Sequence, residues 1–311
     1  MAPKTVTVFG ASGRQGLAQI RQLRAQDFRV KAVTRSPERF SSGEFEGVSV
    51  VTADYNDLKS LIKACEDADA IFFTHPMFED AIHVNEHIVR VCDAAKRAGV
   101  GRIIYNTSSW VPDTPCGEPN YDGNLIREEL FAASGLPLTV IRPVLFMDNL
   151  LTNWVKPGLV HDGCYRYPHE TTMRANWICL DDVAKFMVAA LGREDLVGER
   201  IVIGGPEALS PDEVAAILAQ AIGKTIRFEY ITPRHYGELM YDLFRDVSPL
   251  SREEYAAALE GFYVYNNQTN GRAFLVDMAS VLERIPIKLT PLAEWARSQD
   301  WELHDDGPSG G

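Results

Sequence analysis

From Thr5 to Gly16 the chain reads TVTVFGASGRQG, so Gly10, Gly13 and Gly16 recur every third residue directly after a β-branched run. A strand-to-helix turn of this kind needs positions without Cβ. They allow a sharp bend, let the backbone approach a pyrophosphate, and let the helix lie close on the strand. The helix start, with Ser12, Arg14 and Gln15 around it, then turns backbone N–H groups toward a diphosphate. The spacing is GxxGxxG rather than GxGxxG, but a strand before and a helix after supply the context a dinucleotide site needs. An ordinary strand-to-helix turn is the plain alternative. The next informative stretch is VTRSPERF, with Arg35, Ser36 and Arg39 at the end of the second apolar run. An acid here would bind the ribose 2′-hydroxyl of NAD. Arginine instead matches a phosphate through two charge-assisted bonds, which suits the 2′-phosphate of NADP(H). The alternative for Arg35 and Arg39 is a solvated surface.

Other chemistry-bearing residues follow later strands. Asp54 and Tyr55 stand where such a fold holds an adenine ring, and Thr74, His75 and Pro76 line the middle of the cofactor. His83 and His87 share a helix face without the acid of HExxH, which reads as a helix surface. His161, His169 and His235 lack a partner four residues on and read as loop or core residues, so no metal is expected. Aromatic residues crowd the second half: Trp154, Tyr165, Tyr167, Trp177, Tyr236, Tyr241, Phe244, Phe262, Tyr263 and Tyr265. They suit either an apolar cleft for a flat organic substrate or core packing.

The elements that must position these residues alternate. Short apolar runs at Thr5 to Phe9, Val30 to Thr34, Val48 to Thr52, Ala70 to Thr74, Arg102 to Asn106 and Leu138 to Arg142 read as strands. Helical periods at Gln15 to Ala25, Leu58 to Cys65, Ala81 to Ala98 and Asn124 to Ser134 separate them. This order predicts an α/β fold with a doubly wound parallel sheet. After Pro143 the pattern loosens: helices at Asp181 to Leu191, Pro211 to Ile222, Pro233 to Phe244 and Arg252 to Gly261, and strands at Glu199 to Ile203 and Thr225 to Tyr230.

The 311 residues carry 31 Lys plus Arg against 43 Asp plus Glu, a formal net charge of −12, with 46% hydrophobic residues. This is a globular composition, and its acidity argues against general nucleic-acid binding. The five cysteines are scattered without a CxxC pair, which argues against zinc and disulfides and favours a cytoplasmic setting. The N-terminus lacks the apolar stretch of a signal peptide, no run approaches the roughly 20 apolar residues of a membrane span, and the tail HDDGPSGG reads as frayed.

GASGRQG, VTRSP, ADYND, RIIYNTSS, SGLPLTVIRPVLFMDNLL and NWICLDDVAKFMVAAL together resemble the NmrA-like group of atypical short-chain dehydrogenases/reductases, related to isoflavone-reductase-like enzymes. The resemblance runs from about Thr5 to Leu218 and more weakly to Trp295. It implies a Rossmann-type NADP-binding domain over residues 1–150, with 176–204 returning to it. It also implies a smaller C-terminal α+β substrate lobe from 151–175 and 205–304, while the composition of 305–311 reads as a flexible tail. It places Asn106, Arg142 and Pro143 beside the cofactor, Ser108 or Ser109 at a substrate-orienting serine, and Tyr121 at the catalytic helix. Related enzymes set a lysine four residues after the tyrosine, or at the start of the helix. Here Leu125 and Asn124 stand there, so the usual proton relay is broken. Tyr121 remains open between proton donor and lid residue, Ser108 and Ser109 between catalytic groups and strand caps, and Asn149 reads as structural. Two functions follow: an NADPH-dependent reductase of a small conjugated or aromatic organic substrate, or an NADP(H)-binding sensor with a protein partner. A homodimer is open in either case.

Overall fold

The computed structural model describes residues 4–41, 43–76 and 80–303. The expected tail, 305–311, lies outside them. The first half lays down β1 (Thr5–Phe9), α1 (Arg14–Arg24), β2 (Arg29–Val33), β3 (Ser49–Val51), α2 (Leu58–Cys65) and β4 (Ala70–Thr74). It continues with α3 (Ala81–Ala98), β5 (Arg102–Asn106), α4 (Pro119–Ala133) and β6 (Leu138–Pro143). Then come β7 (Leu145–Phe146), β8 (Cys164–Tyr167), β9 (Ala175–Ile178), α5 (Leu180–Leu191) and β10 (Arg200–Ile203). The chain ends with β11 (Ala208–Leu209), α6 (Pro211–Ile222), β12 (Arg227–Tyr230), α7 (Pro233–Phe244), α8 (Arg252–Gln268), α9 (Met278–Arg284) and α10 (Leu292–Ser298).

Seven strands form one parallel sheet in the order β3-β2-β1-β4-β5-β6-β10. Every residue of β1, β4, β5 and β6 is buried, as a sheet covered on both faces requires. On one face Ile20 and Leu23 of α1 pack with Val183 and Phe186 of α5. On the other, Leu61 of α2, Val84 and Ile88 of α3 and Phe131 of α4 form a second core. The fold is α/β, doubly wound and Rossmann-type. The strand order reverses between β1 and β4, so a crevice opens beyond their carboxyl ends.

The later elements build a third core, in which Tyr165, Trp177, Leu218, Tyr236, Phe274 and Trp295 are buried. Its strands are short: β9 bridges β7 and β11, and β8 pairs with β12 in parallel. Two helices run longer than their periodicity predicts. α4 begins at Pro119, not Asn124, because the Glu118 carboxylate caps it by accepting the Tyr121 N–H at 3.0 Å. α8 opens with a Ser251–Glu254 capping box and passes through Gly261 to Gln268, carrying Tyr263 and Asn266 into the core.

Candidate active site

The carboxyl end of β1 turns at Gly10, whose φ of +69° lies in the left-handed region. A Cβ there would stand 3.4 Å from the Thr74 carbonyl at the end of β4, so the turn closes against the neighbouring strand. At Gly16 a Cβ would lie 2.7 Å from the Ala11 Cα and collide with the Gly10 carbonyl. Only glycine lets α1 approach β1 this closely. Gly13 differs: its backbone is extended, and a Cβ would touch only the Gly10 carbonyl, at 3.4 Å. A side chain there would grow into open space. Gly13 also caps α1 without a side-chain bond, and no acid occupies the first turn. The first-turn N–H groups and the positive helix end are therefore available to an anion.

These residues open a cavity of about 530 Å³. Gly10, Ser12, Gly13, Arg14, Gln15 and Gly16 line one end with Arg35, which is exposed. Tyr55, Thr74, His75, Pro76 and Ser108 line its flank. Tyr55 is held by stacking on His87, ring centroids 4.7 Å apart. His87 is buried, so the helix-surface reading is corrected for that residue. Gln15 Oε1 accepts from Asn106 Nδ2 at 2.7 Å, and Gln15 Nε2 donates to Ser108 Oγ at 3.0 Å. Asn106 Oδ1 accepts the Ser108 N–H at 2.9 Å, fixing Ser108 at a φ of +60°. Asn106 is thus a buried support beneath the wall rather than part of it. The half-buried His75 ring shares a 3.2 Å hydrogen bond with the Tyr105 hydroxyl. Burial, helped by the Arg127 guanidinium, pushes its pKa down to about 3, so the ring is neutral at pH 7.

The far end of the cavity is aromatic. Phe146, Trp154, Tyr167, Tyr236, Phe244 and Tyr263 face it, with Met240, Tyr255 and Leu259 between them. Asp148 and Asn149 join this wall, which corrects the structural reading of Asn149. The Asp148 carboxylate accepts the Leu180 N–H at the start of α5, and its carbonyl accepts from Arg14 Nη1 at 2.8 Å. Burial raises the Asp148 pKa. Sequence reasoning passed over Asp148. The available signal was an acid inside the apolar run LFMDNLL, just beyond the sixth strand, where a crevice at the strand ends must lie.

Several expected site residues lie outside the wall. Asp54 is exposed and accepts the Asn56 N–H at 2.8 Å, closing a local turn. Ser36 donates its N–H to Thr34 Oγ1, while Arg39 reaches the Ser12 carbonyl at 2.9 Å and so braces the glycine turn from outside. Arg142 is buried in an ion pair with Glu128 at 2.7 Å and with Asp113 at 3.0 Å. Glu128 also takes Arg200, so this cluster ties β6 to α4 and β10, and Pro143 is buried beside it. Arg142 and Pro143 therefore do not face the cavity. The same holds for three catalytic candidates. The Tyr121 ring is wholly buried against Trp110 and Phe262, and its hydroxyl donates to Asn266 at 3.0 Å. Asn124 donates to Ser109 Oγ at 2.7 Å and accepts from Arg127, so Asn124 and Ser109 serve each other. Glu118's cap turns Tyr121 into the third core, where Asn266 engages its hydroxyl and its side chain does not line the cavity. Among the described residues no cluster of three His, Cys, Asp or Glu side chains could hold a metal.

A model of the NmrA-like family matches residues 2–296. The chain belongs to the NmrA-like family. That family includes NAD(P)H-dependent oxidoreductases. The chain is 27% identical over 228 residues to the NAD(P)H azoreductase of Xenophilus azovorans, spanning 73% of this chain and 77% of that one. Its fold is similar to that of the Citrobacter sp. triphenylmethane reductase complexed with NADP(H), with a TM-score of 0.75, 22% identity and coverage of 94% and 99% of the two chains. It is also similar in fold to NmrA, a negative transcriptional regulator solved with NADP, with a TM-score of 0.73, 20% identity and coverage of 97% and 100%. Among the described residues no helix is long and apolar enough to cross a membrane.

Proposed function

We propose that the protein is an NADPH-dependent reductase of a small conjugated or aromatic C=O, C=N or C=C compound. The observation that carries this reading is that one cavity joins the glycine turn to a chamber of aromatic side chains. The residues present fit the cofactor: an uncapped helix start for the diphosphate, an open face at Gly13, and Arg35 for a 2′-phosphate. When bound, NADPH supplies a hydride. The chain's own residues bind, orient and exclude water. Arg14 bridges the glycine turn to Asp148, holding the two ends of the cavity together. The aromatic chamber buries a flat substrate and keeps water from it. In this reading residues 1–150 with 176–204 hold the cofactor, and 151–175 with 205–304 hold the substrate.

A hydrogen bond to a charged group contributes roughly 1.5–3 kcal/mol, so Arg35 should favour NADPH over NADH by about ten- to a hundredfold. The test is to incubate the protein with NADPH or NADH and a panel of ketones, quinones, enones and imines, following nicotinamide absorbance. Consumption with NADPH, slower with NADH, is expected. One observation favours a second reading as a binding protein: Tyr121 and Asn124 both lie away from the cavity. Tight NADPH binding with no consumption across the panel would establish that reading instead.

A further inference from the structure

The aromatic chamber contains a closed set of hydroxyls. Tyr167 on β8, Tyr236 on α7 and Tyr263 on α8 all line the cavity and are 3%, 7% and 8% exposed. Their ring centroids lie 5.6, 6.0 and 5.3 Å apart. The polar ends of Tyr263, Tyr236 and the Asn149 side chain lie close enough to the Tyr167 hydroxyl to act on its charge, and Asn149 also faces the cavity. Two further helices, α7 and α8, and the turn after β7 thus bring polar side chains around the Tyr167 ring of β8. Core packing alone needs no such convergence, because each ring could bury its apolar body with its hydroxyl elsewhere.

We propose that Tyr167 is the proton donor of the reductase, with Tyr236, Tyr263 and Asn149 as positioning residues that hold its oxygen when the proton leaves. This rests on the reductase reading. The hydride adds to the electrophilic atom of the substrate's C=O or C=N bond, and the π pair moves to the oxygen or nitrogen. That atom takes the Tyr167 proton, so one O–H bond breaks and one O–H or N–H bond forms. The substrate gains two electrons and NADPH becomes NADP⁺. The Tyr167 oxyanion accepts hydrogen bonds from the two tyrosines and the Asn149 amide until solvent returns a proton.

The electrostatics agree. Burial raises the pKa of all three phenols, but the neighbouring Tyr263, Tyr236 and Asn149 side chains pull Tyr167 back, whereas Tyr236 and Tyr263 stay well above the ordinary value. Tyr167 is therefore the member that most readily gives up a proton, while the whole set remains loaded at pH 7. Other cavity groups are less suited. His75 is neutral at pH 7, with a ring nitrogen engaged by Tyr105, and the Asp148 carboxylate holds the Leu180 N–H.

Tyr167→Phe keeps the ring and removes the donor. The test uses the whole chain, NADPH, an aryl ketone or aryl imine turned over in the panel, and 1,4-naphthoquinone, whose reduced anion survives until water protonates it. General-acid help is typically worth about 10²–10⁴-fold. The expected result is a fall in kcat of about that size for the ketone or imine, little change for the quinone, and unaltered NADPH affinity by fluorescence titration of the cofactor-free protein. An unchanged ketone or imine rate would overturn the assignment. So would an equal loss on both substrate types, since a purely structural role would slow both, and so would a protein that reduces only the quinone. No turnover by the unaltered protein would overturn the reductase reading and this assignment together. Ketone or imine turnover that stays at the parental rate in Tyr167→Phe would overturn this assignment alone.

Discussion

At the scale of single residues, the two tyrosine environments separate a structural phenol from a reactive one. Tyr121 is the tyrosine that motif spacing singles out, yet its hydroxyl is spent on Asn266, burial raises its pKa, and it does not line the cavity. Removing that hydroxyl leaves the buried Asn266 carbonyl without its donor, which should cost about 1–3 kcal/mol. Tyr121→Phe should therefore lower the melting temperature by a few degrees while leaving kcat on every panel substrate unchanged. Thermal unfolding followed by circular dichroism, beside the turnover assay, checks both halves. A loss of about a hundredfold in kcat at full stability, the size of a lost general acid, would put Tyr121 back in the chemistry. Which aromatic residues face the cavity was not legible in the sequence. Tyr165 and Tyr167 differ by two positions on β8, and both are buried. Only the folded cavity distinguishes them: Tyr167 lines it and Tyr165 does not.

At the scale of elements, the glycine turn was readable as a tight strand-to-helix turn, because Gly10 and Gly16 answer backbone demands that a side chain would break. The structure divides these demands and so yields a pair of contrasting outcomes. Gly16→Val drives a branched side chain into the Gly10 and Ala11 backbone, so it should overpack the α1–β1 contact and lose several kcal/mol or fail to fold. Gly13→Val sits in an extended conformation that valine tolerates, and only the Gly10 carbonyl touches its Cβ. It should fold with a near-parental melting temperature and lose NADPH binding, because its methyls occupy the cradle. Fluorescence titration with NADPH decides it, and parental affinity in Gly13→Val would place the cofactor elsewhere. The strands of the main sheet were legible for a similar reason. A parallel strand buried on both faces reads as a near-continuous apolar and β-branched run, as TVTVF and AIFFT do. The four-residue strands β8 and β9 gave no such signal, since each exists only through its partners β12, β7 and β11. The true start of α4 was hidden because a glutamate cap in a Pro- and Gly-rich loop looks like the loop itself.

At the scale of the whole molecule, the cavity exists only where the sheet's carboxyl edge meets the third core, so no single stretch of sequence contains it. The same union buries a titratable group that sets an acid limit on the fold. His169, 1% exposed, lies among Tyr167, Tyr263 and Phe274 with ring centroids 4.6 to 5.6 Å away. Among the described residues its Nε2 has no hydrogen-bond partner. Burial pushes its pKa down to about 3 from the ordinary 6.5. Between those values the unfolded chain binds a proton that the folded chain refuses, so stability falls as the pH drops below about 6.5. The burial-raised carboxyls Asp148 and Glu118 act with the opposite sign, since acid relieves the cost of burying their charge. A variant comparison removes them from the result. Between pH 7 and pH 5 the His169 contribution should be about 2 kcal/mol. His169→Phe keeps an aromatic ring among the same neighbours and has no proton to refuse. Urea unfolding of both proteins at the two pH values should show the parent losing about 2 kcal/mol more than the variant. Equal losses would mean that His169 takes up its proton in the folded state, and that the chamber behind Tyr167 admits water.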